Sequence, residues 1–148
     1  VAIVTSISLT QSLITRTQPT TNKKTKIFVK NIKIDVDIAE TPEEKAKGLS
    51  GRQSLKKNEG MLFIFENNTY PIFWMKDMHF PIDIIWIADE KVVHIDRNVP
   101  VPEVNTPDSK LPLYKPPVGI DYVLEVNAGF AESHNIKLND VVNIPQDI

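Results

Sequence analysis

The chain has 148 residues, 41% of them hydrophobic and 24% charged, with a formal net charge of −2. That length and mix describe one globular domain, able to bury about two thirds of its unfolded surface without staples. Cysteine is absent, which excludes thiol catalysis, disulfides and cysteine-ligated zinc, and the balanced charge offers no basic face for nucleic acid.

Residues 1–14, VAIVTSISLTQSLI, carry no charge. They are too few to span a bilayer, which takes about 20 residues. They read as the remnant of a membrane anchor or signal segment. Residues 15–25 are polar, threonine-rich and basic, as expected of a linker. Together they predict a domain outside the cytoplasm, tethered to the membrane only through this N-terminal segment. The folded domain is expected over residues 26–148.

Ile27–Lys30 is a short strand candidate. Ile32, Ile34, Val36 and Ile38 then alternate with Lys33, Asp35 and Asp37, the period of a strand with one buried and one wet face. Lys30-Asn31 would be the turn between them. In Thr41-Pro42-Glu43-Glu44, Thr41 is an N-cap, Pro42 fits the first helical position and Glu44 completes a capping box. Gly48 or Gly51 ends this short helix. Arg52 follows, and residues 53–59 read as a polar loop.

The stretch from Gly60 to Ile87 holds both tryptophans, all three methionines and four of the six phenylalanines. Its apolar runs are short and rich in aromatic and β-branched residues, which predicts strands. Expected strands are Met61–Phe65, Ile72–Lys76 and Ile82–Ile87, with Glu66–Tyr70 a loop and Pro81 closing the connection before the last. Ala88–Lys91 has hairpin length, and Val92–Asn98 is the return strand. Residues 99–118 hold six of the eleven prolines and read as a long ordered loop draped over the domain. Tyr122–Asn127 is a strand, Gly129–Asn135 one or two helical turns, and Leu138–Ile144 a closing strand. The fold class is therefore α+β, mainly antiparallel β: a small barrel or sandwich of about seven strands with two short helices at its edge.

Several segments carry a resemblance. They are Gly48-Leu49 with Arg52, Gly60-Met61-Leu62-Phe63 with Phe65, Phe73-Trp74-Met75-Lys76, Pro81 with Asp83-Ile84, and Val123-Leu124-Glu125-Val126-Asn127-Ala128-Gly129. In this order and spacing they resemble the domain of unknown function 192 family of bacteria and archaea, over about residues 26–145. The resemblance implies a compact β-rich domain, often behind a signal or anchor segment, and brings no established activity. Many members carry a cysteine pair before the tyrosine matching Tyr114, where this chain reads PVPEVNTPDSKLPLY and has none. Asn139-Asp140 stands where members have Gly-Asp, and asparagine also tolerates a left-handed turn.

Alternation places Asp83 on a face with Ile85 and Ile87, and Glu125 on a face with Val123 and Asn127. Acids among apolar strand residues are costly unless paired. Arg52 is the expected partner of Asp83, Glu125 or both, because its planar fork suits carboxylates. The bland reading is an ion pair that docks helix on sheet. The sharper one is a binding or acid/base site with a carboxyl proton held by burial. Trp74 shares a face with Lys76, either as core packing or as a platform for a small polar ligand.

Met75, Met78 and His79 form a weak soft-ligand set for Cu(I). Methionine is also a common core filler. His94 and His134 stand alone, and no Ser-His-Asp order, HExxH, P-loop or GxGxxG appears. No cofactor is expected. The candidate site is thus Arg52, Trp74, Lys76, Asp83, Tyr114 and Glu125, in a non-catalytic domain binding a small polar ligand or a protein partner. The alternative is a hydrolase using Asp83 and Glu125 as a carboxylate pair.

Overall fold

The computed structural model describes Ala2–Ile3 as backbone and residues 23–148 in full. The expected anchor remnant, Ala2–Ile3 apart, and the linker up to residue 22 therefore lie outside the described residues. In chain order the elements are β1 (Ala2–Ile3), β2 (Lys24–Val29), β3 (Ile32–Ala39), α1 (Pro42–Lys47), β4 (Glu59–Thr69), β5 (Phe73–Trp74) and β6 (Ile82–Ala88). There follow β7 (Lys91–Val99), β8 (Ile120–Asn127), α2 (Phe130–Ser133) and β9 (Val142–Asn143).

Seven strands form one sheet in the order β7-β6-β8-β4-β3-β2-β9, while β1 and β5 make a separate two-stranded pair. Every neighbouring pair in the large sheet is antiparallel except β3 and β4. The sheet is therefore mixed rather than purely antiparallel: mainly antiparallel, as the hairpin-length links predict, with one parallel pair. The reason lies in residues 40–58. They carry α1 and a loop, enough chain to return to the start of a parallel neighbour. The sheet curls into a half-barrel. The last stretch of the chain links the sheet's two ends: Lys30 N, just after β2, donates to Val141 O at 2.8 Å, and Val92 N of the edge strand β7 donates to Asp140 O at 3.0 Å.

Local chemistry explains most element ends. Thr41 accepts from Glu44 N while the Glu44 carboxylate accepts from Thr41 N, so the capping box forms. Hydrogen bonds from the backbone N–H groups of Thr41 and then Glu40 hold the Glu44 carboxyl below its usual range. Asp89 and Glu90 both have positive φ between β6 and β7, as a two-residue hairpin with right-handed twist requires. Asn139 takes the left-handed conformation expected of it, at φ 69°.

Three strand boundaries differ from expectation. β4 continues through Glu66 to Thr69 with a register shift after Ile64, because β8 pairs with Thr69 as well. β5 is only two residues long, with Met75 O accepting from Met78 N in a turn. The closing strand shrinks to Val142–Asn143, its flanks spent on bonds that tie the sheet's edges together.

Apolar residues line both faces of the sheet. One cluster holds Ile27, Val36, Leu62, Ile85, Leu124 and Val126 under α2. The other holds Met61, Phe63, Phe73, Met75, Ile84, Trp86 and Val123 under the loops that follow α1 and β4. The second is aromatic, with Phe73 edge-on to Phe63 at 5.0 Å and to Trp86 at 5.4 Å. Trp86 Nε1 donates to Asp96 Oδ2 at 2.7 Å, which satisfies the one polar group of that buried ring.

Candidate functional site

Register decides what the site contains. Asp37, Met61, Glu125, Ile84 and Asp96 are successive partners across β3, β4, β8, β6 and β7. Directly paired residues share a face, so these five side chains form one row. The next partners, Gly60, Val126 and Asp83, form a row facing the other way. Asp83 and Glu125 therefore project from opposite faces of the sheet. The single pocket expected to hold both carboxylates is not built.

Asp83 is fully buried and takes its hydrogen bonds from the backbone. Asn98 N donates to Oδ1 at 2.8 Å, Gly129 N to Oδ1 at 3.2 Å and Ala131 N to Oδ2 at 2.8 Å. The carboxylate thus gathers the orphan donors at the start of α2 and joins them to the end of β7. Its expected partner Arg52 is not there. Three N–H groups satisfy the charge, so Asp83 holds the fold together on the α2 side.

Glu125 is also 0% exposed, but neither carboxylate oxygen has a hydrogen-bond partner. Its neighbours along the row, Met61 and Ile84, belong to the aromatic cluster. Desolvation pushes its carboxyl up to about 7, with the Arg52 charge opposing the shift. Arg52 itself bonds elsewhere: its Nη2 lies 2.6 Å from Asp37 Oδ2. The expected Arg52–Glu125 ion pair is therefore replaced by Arg52–Asp37, with Glu125 still within reach of the guanidinium's field. Adjacent strands are about 4.8 Å apart, so Asp37 and Glu125, two strands apart in one row, flank Met61.

A cleft of about 560 Å³ opens on this same face, lined among others by Lys24, Lys26, Asp35, Asp37, Arg52 and Leu55. Arg52, with its side chain 34% exposed, stands on the wall of the cleft. Behind it the loop of residues 52–56 covers the buried half of the row. Asn127 Nδ2 anchors that loop by donating to Leu55 O at 2.9 Å and Lys56 O at 3.1 Å. The result is an open, charged cleft beside a dry carboxyl, with one arginine between them. Such a cleft can orient a polar ligand through Lys24, Arg52 and the acids, and a donor reaching Glu125 would meet an unsatisfied acceptor.

The remaining expected residues cluster around β5. Lys76 Nζ is paired with Asp108 from the proline-rich loop and lies 5.4 Å from the Trp74 ring centroid. Tyr114, from the same loop, exchanges both backbone bonds with Phe73 at 2.9 Å, so the loop is ordered over the domain as expected. Burial and the nearby Asp96 push the Tyr114 phenol up. Trp74 is half-buried and its Nε1 is enclosed without a partner, so it is not an open platform.

The soft-ligand set is split, with Met75 and Met78 in the core and His79 exposed. Among the described residues no group of three or more His, Asp or Glu is placed to hold a metal ion. Nor is any described helix long and apolar enough to cross a membrane. Sequence reasoning missed Asp37 and Asp96. Asp37 alternates with Val36 and Ile38, and Asp96 lies between Ile95 and Arg97, but which cation or indole each meets depends on the parallel β3–β4 pairing and the β6–β7 register.

Residues 23–144 match the family DUF192, described as Uncharacterized ACR. A protein of unknown function from Novosphingobium aromaticivorans DSM 12444 has a similar solved structure. The TM-score is 0.74 at 27% identity, covering 86% of this chain and 90% of that one. A structure described as a putative transcription regulator from Sinorhizobium meliloti 1021 also has a TM-score of 0.74. Its identity is 23%, over 85% of this chain and 97% of that one, a likeness of fold alone. No curated protein matches the chain.

Proposed function

The chain belongs to the DUF192 family of uncharacterised proteins, and we propose that it is a non-catalytic binding domain, held outside the cytoplasm by an N-terminal tether. Its ligand is a small polar molecule or a polar group of a protein partner, taken up in the cleft beside Arg52. The observation that carries this reading is Glu125, a fully buried carboxyl with both oxygens unpartnered. Buried polar groups are paired in the great majority of native sites, and an orphaned one beside an open cleft marks a place kept for a donor. The tether rests on the uncharged run of residues 1–14 followed by a polar, basic linker.

A thermal-shift screen of the full chain against sugars, amino acids and polar metabolites tests the binding. A ligand at about 100 times its Kd adds about 2.7 kcal/mol, or about 5–10 °C in a domain of this size. The shift should shrink in both Arg52→Ala and Glu125→Gln. A ligand that shifts both variants as much as the parent binds elsewhere and refutes the assignment of the site.

The hydrolase alternative retains one point in its favour, the Glu125 proton held near neutrality, where a general acid or base works best. Its second group would have to come from the same row, where Asp37 and Asp96 each stand two strands from Glu125. Turnover of chromogenic glycosides or esters, abolished by Glu125→Gln, would support it over simple binding.

A further inference from the structure

We propose that the outer edge of β5 is an acceptor site for an extended, uncharged polypeptide strand, and that β1 is its intramolecular stand-in. The site uses main-chain atoms, unlike the side-chain groups of the Arg52–Glu125 cleft. Phe73 donates to Tyr114 O and accepts from Tyr114 N, both at 2.9 Å. A residue that exchanges both bonds with one antiparallel neighbour leaves the next residue's N–H and C=O pointing to the opposite edge. Those groups belong to Trp74, and Ala2 stands opposite them, with Ile3 opposite Phe73.

Three features make this edge a place for exchange. First, among the described residues the β1–β5 pairing covers only Ala2 and Ile3, and so short a pairing lies at the low end of local stability. Second, the Trp74 indole N–H is enclosed without a partner, so an incoming main-chain carbonyl or a Ser/Thr hydroxyl would satisfy a donor that the chain does not satisfy itself. Third, the edge has built walls. β1 touches both β5 and α1, and α1 buries none of its own residues fully, so α1 offers a second surface to a strand at this edge.

The chemistry of the occupant follows from the stand-in. Ala2–Ile3 belongs to a run without charge that is rich in Val, Ile, Thr and Ser, residue types that favour extended backbone. Strand addition takes its affinity from main-chain bonds and its selectivity from alternate side chains. When the leading segment is engaged elsewhere, as in the tethered state proposed above, the β5 edge is vacant and open to a strand from another protein.

The test uses the full chain and an Ala2→Pro variant, which lacks the N–H that faces Trp74. Hydrogen exchange at the Trp74 amide should accelerate at least tenfold in the variant. A synthetic peptide of residues 1–10 should restore protection, binding the variant at least tenfold more tightly than the parent, whose own β1 competes. Two methylated peptides then separate strand addition from apolar adhesion. Methylation of the Ala2 nitrogen should abolish binding, while methylation of the Ile3 nitrogen, which faces away, should spare it. Unchanged Trp74 exchange in Ala2→Pro, or equal binding of the two methylated peptides, would overturn the proposal. Peptide binding is read by Trp74 exchange and ligand binding in the cleft by the loss of thermal shift in Arg52→Ala, so this site and the polar cleft fail or stand separately.

Discussion

Glu125→Gln is expected to flatten the pH dependence of stability and to stabilise the protein above neutrality. The carboxyl is fully buried, and burial raises it from 4.5 to about 7. A group whose native value lies above its unfolded value binds more protons when folded. Stability is then greatest below about 4.5 and falls as pH rises through about 7. The difference of about 2.5 units corresponds to about 3 kcal/mol, at 1.36 kcal/mol per unit.

Glutamine keeps the shape and carries no charge, so the variant loses this slope. It still buries an unpartnered amide, which costs about 1–3 kcal/mol in proteins. The absolute gain at pH 8 should therefore be modest, about 0–2 kcal/mol, while the difference between the two pH profiles should approach the full 3 kcal/mol. Urea denaturation of parent and variant at several pH values between 4 and 9 reads this directly, since other titrating groups cancel in the difference. Parallel curves for the two proteins would refute the reasoning, because an ionised Glu125 would then be no more costly to bury than a protonated one.

Three further changes probe the same architecture. Asp83→Ala would strand the N–H groups of Asn98, Gly129 and Ala131. It should cost on the order of 3–5 kcal/mol in urea denaturation, with no effect on ligands of the cleft. Gly60→Ala would place a Cβ 2.7 Å from the backbone oxygen of Glu125, so β4 and β8 must part. A loss of about 1–3 kcal/mol is expected, together with new exchange at the amides of both strands. Arg52→Ala removes a half-exposed ion pair with Asp37, which is worth no more than about 1 kcal/mol. It should also move Glu125's titration further upward, since the guanidinium now opposes the effect of burial. Carbon-13 shifts of the Glu125 carboxyl would show it, and a downward move would mean that the two groups do not sense each other.

The candidate residues divide by what local pattern can report. Alternation alone placed Asp83 with Ile85 and Ile87, and Glu125 with Val123 and Asn127, and both groupings hold across the sheet. The same logic placed Lys76 beside Trp74. Pairing failed for Arg52, because β3 lies parallel to β4 and brings Asp37 to the loop after α1. Nothing within a few residues of Arg52 announces that neighbour. Asp83 looked like an acid in search of a cation because backbone donors leave no trace in side-chain identity. Its partners come from a hairpin end and a short helix that only the folded chain brings together.

Residue types with short-range consequences settled the periods of β3, β6 and β8, the capping box at Thr41, the left-handed turn at Asn139 and the ordered, proline-rich cover. Each follows from torsional preference, hydrogen bonds a few residues apart, or which side of a pleat meets water. The parallel β3–β4 pairing, the opposite facing of the two buried acids and the joining of the sheet's edges through residues 139–143 are tertiary outcomes. They depend on register between segments far apart in sequence. A shift of one residue would exchange the two faces, and only packing of both apolar clusters at once selects the register that leaves Glu125 dry beside an open cleft.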